Sequence, residues 1–405
     1  MVAKSEARPV LATSFESATL DTGAIHDELN RLWAELGGPV HGGEWPGEMV
    51  ADTHFGGGGL MRANTLNLVA VANNQRDAEL ITDTISRMHD FLPSRTIILI
   101  ADQRDEDNDH GGFNVHLELR EQITGKDVPA LHFEIISVAA GRAQLANLPS
   151  LVSPLLSAEL PDFLWWPAGD FAINTLFGEL QELVDRAVID SAQLGNEITG
   201  LTVLRSLFGE ADEDAPIFGD FTWLRLAPWR QLIAQFFDPQ DVQDCLSTIE
   251  EVTISYADLR DDGSSGLAAA ALTVGWLASR LGWEVREPLE RRKAGGWTAP
   301  LRANDGGKPR DISLRLLPDR SPHADFSLRH VEILSGGQHS GKFRVERTDA
   351  DDMVTSSQTE IVPYVSRMVY AKRPSSVNML GEELQRFGHE RVYEEAVAMT
   401  LGLLP

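Results

Sequence analysis

The chain has 405 residues, 42% of them hydrophobic and 24% charged, a composition typical of a globular protein with two or three domains. Its 61 acidic and 35 basic residues give a formal net charge of -26, and a field of this sign repels phosphate backbones, which excludes general nucleic-acid binding. The single cysteine, Cys245, excludes an intrachain disulfide and a zinc site built from several cysteines.

Neither a membrane segment nor a secretory leader is expected. The most apolar stretch, residues 267–281, is shorter than the ~20 residues that a bilayer requires, and it contains Arg280. Residues 1–13 lack the long apolar core of a signal peptide. These features favour a cytoplasmic protein.

The first 60 residues predict one helix followed by a flexible connector. Apolar residues recur at helical spacing between positions 21 and 36, and Gly37-Gly38-Pro39 ends the pattern. Four glycines at positions 56–59 favour a flexible linker over a phosphate-binding loop, because no strand precedes them.

Residues 61–159 predict an α/β domain and residues 160–296 predict a second one, because apolar strand-like runs alternate with helical patterns in both. The predicted strands are 66–72, 96–101, 115–119, 131–138, 164–166, 187–189 and 249–256. The predicted helices are 77–91, 142–156, 176–184, 226–237 and 267–281.

Residues 297–405 show short alternating runs at 312–316, 326–334, 343–347 and 353–361, separated by turns, a pattern that predicts an antiparallel meander. Two terminal helices are predicted at 376–387 and 390–403. The predicted fold class is therefore α/β, with two consecutive α/β units containing mixed sheets, followed by an antiparallel β meander and C-terminal helices.

The known catalytic motifs are absent or incomplete, and no catalytic, cofactor-binding or metal-binding residue is predicted. Residues 336–343 resemble a P-loop, but Phe343 replaces the required Ser or Thr and a strand-like run follows, which indicates a hairpin turn. The acidic loop 102–110 has the first carboxylates of a calcium loop, but His110 and His116 stand where glycine and glutamate are needed. The nucleophile elbow, the zinc-protease helix and the dinucleotide fingerprint are not found.

Tryptophans are concentrated in the middle of the chain and have two interpretations. Trp165 and Trp166 are neighbours in a predicted strand and would point to opposite faces, while Trp229 and Arg230 open a helix after Pro228. Large aromatic residues most often belong to the core, but Trp and Arg also anchor protein interfaces. We name Trp165, Trp166, Trp229 and Arg230 as candidate partner-binding residues, with Trp229 and Arg230 placed to face outward.

Several sequence segments in the central part of the chain resemble the OpcA family of glucose-6-phosphate dehydrogenase assembly proteins. They occur in the family's order between about residues 62 and 297, namely Thr65–Val69, Pro93–Ile97, Leu164–Trp166, Asp185–Ser191, Thr222–Arg230 and Trp276–Trp283. The N- and C-terminal extensions make the chain similar to cyanobacterial members. With Cys245 alone, the chain lacks the pair of thiols that an internal redox switch would need.

The resemblance implies a non-catalytic regulatory protein without a cofactor. Members of the family bind glucose-6-phosphate dehydrogenase, promote its oligomeric assembly and activate it allosterically, at the entry to the oxidative pentose phosphate pathway. Two alternatives stay open at this stage. One is an enzyme or sugar-phosphate-binding protein on the same α/β framework, since a fold does not fix a function. The other is a scaffold that binds the dehydrogenase without changing its kinetics.

Overall fold

The structure is a computed structural model. It describes residues 8–17, 21–37, 61–62, 64–88, 92–102, 112–122, 130–171, 174–194, 198–208, 216–258, 266–305, 308–321, 327–337, 340–348 and 351–404. The glycine-rich connector and residues 103–110 of the acidic loop lie outside these ranges.

Nine strands of the described chain form a first sheet. They are β1 (Arg8–Ser17), β2 (Met61–Arg62), β3 (Asn67–Ala72), β4 (Arg95–Ala101), β5 (Phe113–Gln122), β6 (Leu131–Ala140), β7 (Asp162–Trp166), β8 (Arg186–Ile189) and β9 (Ile217–Asp220). Six of them run parallel in the spatial order β6-β4-β3-β7-β8-β9. This order is third, second, first, fourth, fifth, sixth along the chain, which defines the doubly wound dinucleotide-binding fold. β5 and β1 extend the sheet antiparallel beyond β6.

A second sheet is built from the later part of the chain. Its strands are β10 (Ile249–Ala257), β11 (Trp283–Val285), β12 (Glu290–Arg291), β13 (Trp297–Asp305), β14 (Lys308–Asp319), β15 (Leu328–Ser335), β16 (Gly341–Arg347), β17 (Asp352–Thr359) and β18 (Val365–Tyr370). The order is β11-β13-β14-β10-β15-β16-β17-β18, with β10 parallel to β14 and antiparallel to β15. β18 is the outermost strand at one end.

Helices pack against both sheets. They are α1 (Thr22–Glu35), α2 (Gln75–Met88), α3 (Leu148–Leu155), α4 (Thr175–Gln181), α5 (Ile198–Phe208), α6 (Phe221–Arg225), α7 (Ala227–Gln235), α8 (Gln240–Ser247), α9 (Leu267–Leu281), α10 (Ser376–Leu384) and α11 (Arg391–Gly402), with 3-10 turns at Arg142–Asn147 and Ser191–Leu194. The apolar α9 contacts β10 and β14 of the second sheet and also α6, which follows β9 of the first sheet. It therefore joins the two sheets through one continuous core.

The opposite face of the first sheet has a smaller core of its own. Apolar residues of β3, β4 and β7 meet α2 there, and Met379, Leu380 and Leu384 of α10 complete the layer. α10 follows the second sheet in sequence but packs against α2 and α6 of the first unit. The chain thus returns after the second sheet to pack against the first one.

The structure confirms the α/β class with two mixed sheets and C-terminal helices. The division into four consecutive parts does not coincide with the sheets, because β3 and β7 pair across residue 160 and β10 and β11 join the second sheet before residue 297. The meander strands are antiparallel as predicted, but β10 is inserted between β14 and β15. β1 was not predicted; it pairs with β5, and the predicted helix that follows is α1.

No helix of the described chain is long and apolar enough to cross a membrane.

Candidate functional site

In a doubly wound sheet, ligands bind at the carboxyl ends of the strands where the strand order reverses. Here that point lies between β3 and β7. The cavity at this position has a volume of about 240 Å³ and is bounded by the end of β3, the first turns of α2, the loop after β7 and Ser376 at the start of α10. Sites for drug-sized ligands are larger, about 300–1,000 Å³.

The turn between β3 and α2 is where this fold holds a pyrophosphate, and here it lacks glycine. The residues after Ala72 are Asn73 and Asn74. The Asn74 Oδ1 accepts a hydrogen bond from the Asp77 backbone N–H at 3.0 Å, and the Asn74 Nδ2 donates to the Asp77 Oδ2 at 2.7 Å. The Asn74 side chain therefore caps the N-terminus of α2. The Asp77 carboxylate lies at this end of the helix, where the helix dipole would otherwise favour a bound anion.

The opposite wall of the crevice is filled by the loop after β7. Asp170 accepts hydrogen bonds from the Trp166 Nε1 at 2.9 Å and the Asn174 Nδ2 at 3.1 Å. At Gly169 the backbone passes so close to the 3-10 turn Ser191–Leu194 that an added Cβ would lie 2.1 Å from the Gln193 carbonyl oxygen. The protein's own side chains and backbone thus narrow the crevice to this small cavity.

A larger groove of about 860 Å³ lies beside α2, over the antiparallel extension formed by β5 and β1. The groove is left open because β4 is connected to β6 through the strand β5. Among the described residues, no crossover helix between these two strands covers this part of the sheet. Several of its polar side chains are paired with each other. His116 Nδ1 lies 2.7 Å from the Ser14 hydroxyl, and Arg120 pairs with Glu118 at 3.0 Å.

A buried polar cluster lies at the carboxyl ends of β8 and β9. Asp220 accepts hydrogen bonds from the Ser191 hydroxyl at 2.6 Å and from the backbone N–H of Thr222 at 2.9 Å. Asp190 pairs with Arg225 through two bonds of 2.7 Å. Burial, with the neighbouring charge of Asp190, raises the pKa of Asp220 to about 6. Because Asp220 caps α6 and is itself fully enclosed, this perturbed acid serves the fold.

The sequence-predicted partner residues occupy the interior. The indoles of Trp165, Trp166 and Trp229 are all buried, so the expectation that Trp229 faces outward is wrong. Trp229 points inward because α7 packs its apolar side into the shared core. The half-buried Arg230 stacks on the Trp223 ring at 3.4 Å, and burial lowers its pKa to about 10. Trp165 and Trp166 serve the two opposite cores, as neighbours in a strand must.

An exposed apolar surface lies instead on and next to β18. We define the β18 patch as Ile361, Tyr364, Val365, Met368 and Tyr370; each of these side chains is exposed, Met368 and Tyr370 to 70%. Sequence reasoning ended the meander at Ile361 and missed this strand. The signal was present in the alternation of Tyr364, Met368 and Tyr370, but an exposed aromatic residue and a buried one look alike in a sequence.

Metal binding is not indicated in the described part of the chain, where no three His, Cys, Asp or Glu side chains come together in a way that could hold an ion.

The first sheet has the strand order of the doubly wound dinucleotide-binding fold, and a dinucleotide site is not recognisable among the described residues. Family models match most of the chain: the glucose-6-phosphate dehydrogenase subunit N-terminal domain matches residues 82–206, and the corresponding C-terminal domain matches residues 216–397. The chain belongs to the OpcA family, which confirms the resemblance seen in the sequence.

Curated relatives are cyanobacterial and are assigned as OxPP cycle proteins OpcA. That of Synechocystis is 25% identical over 280 residues, covering 67% of this chain and 56% of the relative. That of Nostoc punctiforme is 26% identical, with 67% and 57% covered, and that of Synechococcus elongatus is 26% identical, with 68% and 60% covered. The matched part of the chain therefore spans less than two thirds of each relative.

Among solved structures, YvaA of Bacillus subtilis, assigned as an oxidoreductase, aligns with a TM-score of 0.41 and 10% identity over 82% of this chain and 94% of YvaA. Gal80p of Saccharomyces cerevisiae aligns with a TM-score of 0.35 and 10% identity, over 79% of this chain and 85% of Gal80p.

Proposed function

We propose that this chain is a non-catalytic regulatory protein that binds glucose-6-phosphate dehydrogenase, promotes its oligomeric assembly and activates it allosterically. The observation that carries the proposal is the altered phosphate turn: the fold has the strand order of a dinucleotide enzyme, but Asn73 and Asn74 form the turn after β3 and Asp77 follows in the first turn of α2. The family descriptions name a subunit of this dehydrogenase, which supports the choice of partner. A cytoplasmic location is part of the same proposal.

The mechanism is a shift between conformations of the dehydrogenase. An activator must bind the active state more tightly than the inactive state, since equal affinity for both changes nothing. A difference of about 1–3 kcal/mol changes substrate affinity about 5- to 150-fold. The activator needs only a rigid surface for this task, and the two sheets joined through α9 supply one.

The test is an assay of glucose-6-phosphate dehydrogenase from the same organism, at subsaturating glucose 6-phosphate, titrated with this protein. We expect a saturable fall in the apparent KM together with co-elution on a sizing column. Co-elution with unchanged kinetics would identify a scaffold. Neither co-elution nor a kinetic effect would refute the proposal and return attention to an enzymatic role for the groove beside α2.

A further inference from the structure

The outer backbone edge of β18 has no strand partner among the described residues. β18 pairs only with β17 on its inner side, from Asp352↔Tyr370 to Ser357↔Val365. Five of its six residues are exposed, and only Val369 packs partly against the core. Proteins usually protect such an edge with charge, proline or a covering element, because unpaired N–H and C=O groups invite another strand.

The side chains of this strand suit an interface. Met368 and Tyr370 lie opposite Val354 and Asp352 of β17 and therefore project from the same face of the sheet. Tyr364 enters the strand with 65% of its side chain exposed. Aromatic residues, methionine and arginine are the types enriched in interface cores. Exposure of several together at one edge exceeds the scattered single residues of an ordinary surface.

The segment that contains β18 has a charge opposite to that of the whole chain, although Asp352 of β17 pairs with Tyr370. Residues 361–381 contain Arg367, Lys372 and Arg373 and no acidic residue, whereas the chain as a whole carries -26. Arg367 and Lys372 are both exposed. A cationic strand in an anionic protein attracts an acidic surface only within about a Debye length, ~8–10 Å, where it orients the partner.

A second copy of this chain fits this edge poorly. A two-fold axis would place each β18 antiparallel to itself, so the two Arg367 side chains would meet within a residue or two of each other. Like charges opposite one another on paired strands are destabilising. The two bodies would in addition repel each other, since each carries -26.

We propose that β18 docks glucose-6-phosphate dehydrogenase by strand addition, pairing its free edge with an acidic edge strand of the enzyme while Tyr364, Met368 and Tyr370 fill apolar pockets beside it. This inference rests on the proposed function and names the surface that performs it. Main-chain hydrogen bonds supply the affinity in such complexes, and alternate side chains supply the specificity.

The position of β18 also connects docking to the rest of the molecule. Six residues after Tyr370, α10 begins at Ser376, packs against α2 and borders the switch-point cavity. β18 is therefore connected through α10 to the first sheet, so an enzyme bound at β18 would be attached to both sheets of the protein.

The test measures affinity for the dehydrogenase with two variants of the patch and two matched controls. M368S/Y370S removes the apolar contacts and R367E/K372E reverses the charge. F387S removes an apolar side chain that is 73% exposed elsewhere, and K293E reverses an exposed charge at the other end of the same sheet. We expect each patch variant to raise Kd about tenfold or more and the controls to change it less than about twofold. The effect of R367E/K372E should shrink at high salt.

Hydrogen exchange provides the second readout, with thermal melts to establish that each variant folds. On binding, the amides of residues 365–370 that point outward, about half of them, should gain protection. If wild-type protein binds and activates the enzyme while the patch variants bind equally well, the docking inference is overturned and the proposed function stands. Loss of a homodimer in the patch variants, with enzyme binding unchanged, would overturn it as well. If wild-type protein does not bind at all, the proposed function itself fails.

Discussion

Glu383 links α10 to the first sheet through a buried ion pair. Its carboxylate accepts hydrogen bonds from the Arg186 Nε at 3.2 Å and Nη2 at 2.8 Å, and the two side chains are only 1% and 3% exposed. Gly219 lies against it, and an added Cβ there would be 2.2 Å from the Glu383 Oε2. A buried pair adds little over an apolar pair of the same shape, but losing one partner leaves an uncompensated charge.

We therefore expect Glu383→Ala to lower the free energy of unfolding by about 3–5 kcal/mol, because the buried Arg186 guanidinium loses its counter-charge. Glu382→Ala is the matched control, since Glu382 is the preceding residue but is exposed and pairs with Arg386 at the surface. The control should cost less than about 1 kcal/mol. Urea unfolding of both variants measures the difference, and equal costs would mean that the buried pair does not anchor α10.

Asp220 predicts a pH dependence of stability. Burial raises its pKa from 3.8 to about 6. The folded chain therefore binds more protons than the unfolded chain between these values, and this contribution to stability is lost as pH rises through about 6. Asp220→Asn keeps an oxygen for the two backbone N–H groups of Ser191 and Thr222 but cannot ionise.

We expect wild-type stability relative to Asp220→Asn to fall by about 1 kcal/mol between pH 5 and pH 8. Subtracting the two unfolding free energies at each pH cancels the titration of all other groups. A difference that rises with pH would mean that hydrogen bonds outweigh burial and that the pKa of Asp220 is lowered.

Helices α9 and α11 pack closely against each other, and this contact holds the C-terminal helix to the core. Gly275 is the closest point: an added Cβ would lie 2.1 Å from the Ala396 carbonyl oxygen and 2.3 Å from the Thr400 Oγ1. Glycine weakens a helix, so its presence in the middle of α9 indicates that packing outweighs helix propensity at this position.

Gly275→Ala should therefore destabilise the protein by about 1–3 kcal/mol, because α11 must move away from α9. Gly178→Ala in α4 is the opposite case, since nothing lies within 4 Å of the added Cβ. That variant should stabilise by about 0.5–1 kcal/mol through helix propensity alone. Thermal unfolding of the two variants checks the predicted opposite signs, and the same sign in both would refute the packing argument.

The sequence predicted those elements whose pattern depends on burial within the element itself. α9 was predicted with its observed bounds, because an apolar run of this length between Gly266 and Gly282 fits a buried helix. β1 and β18 were missed because both are edge strands, in which exposed residues weaken the alternation that identifies a strand. The burial of Trp229 was equally invisible, since it depends on the distant elements that pack around α7.

The spatial order of the strands in the two sheets could not be predicted from their order along the chain. The rhythm of strands and helices indicated an α/β protein with two sheets, but the pairing of β3 with β7 and the insertion of β10 between β14 and β15 depend on contacts distant in sequence. The absence of a glycine fingerprint was visible in the sequence. Only the topology shows that its place is the turn between β3 and α2, where a dinucleotide enzyme would need it.

That placement gives the prediction that separates the regulatory proposal from an enzymatic one. The glycines of a dinucleotide site let the backbone approach the pyrophosphate, whereas Asn73 and Asn74 place side chains there and Asp77 adds a negative charge at the start of α2. The adjacent cavity of about 240 Å³ is also below the range typical of ligand sites.

We therefore expect no saturable NADP⁺ binding to this chain in titration calorimetry up to about 1 mM, where binding would be worth only about 4 kcal/mol. The dehydrogenase measured under the same conditions is the positive control. Saturation below that concentration would mean that the crevice opens to admit a nucleotide, and the closed turn would then be a gate instead of a lost site. Absence of binding to this chain, with activation of the enzyme intact, would place all of the nucleotide chemistry on the dehydrogenase and leave surface contact as the means by which this protein acts.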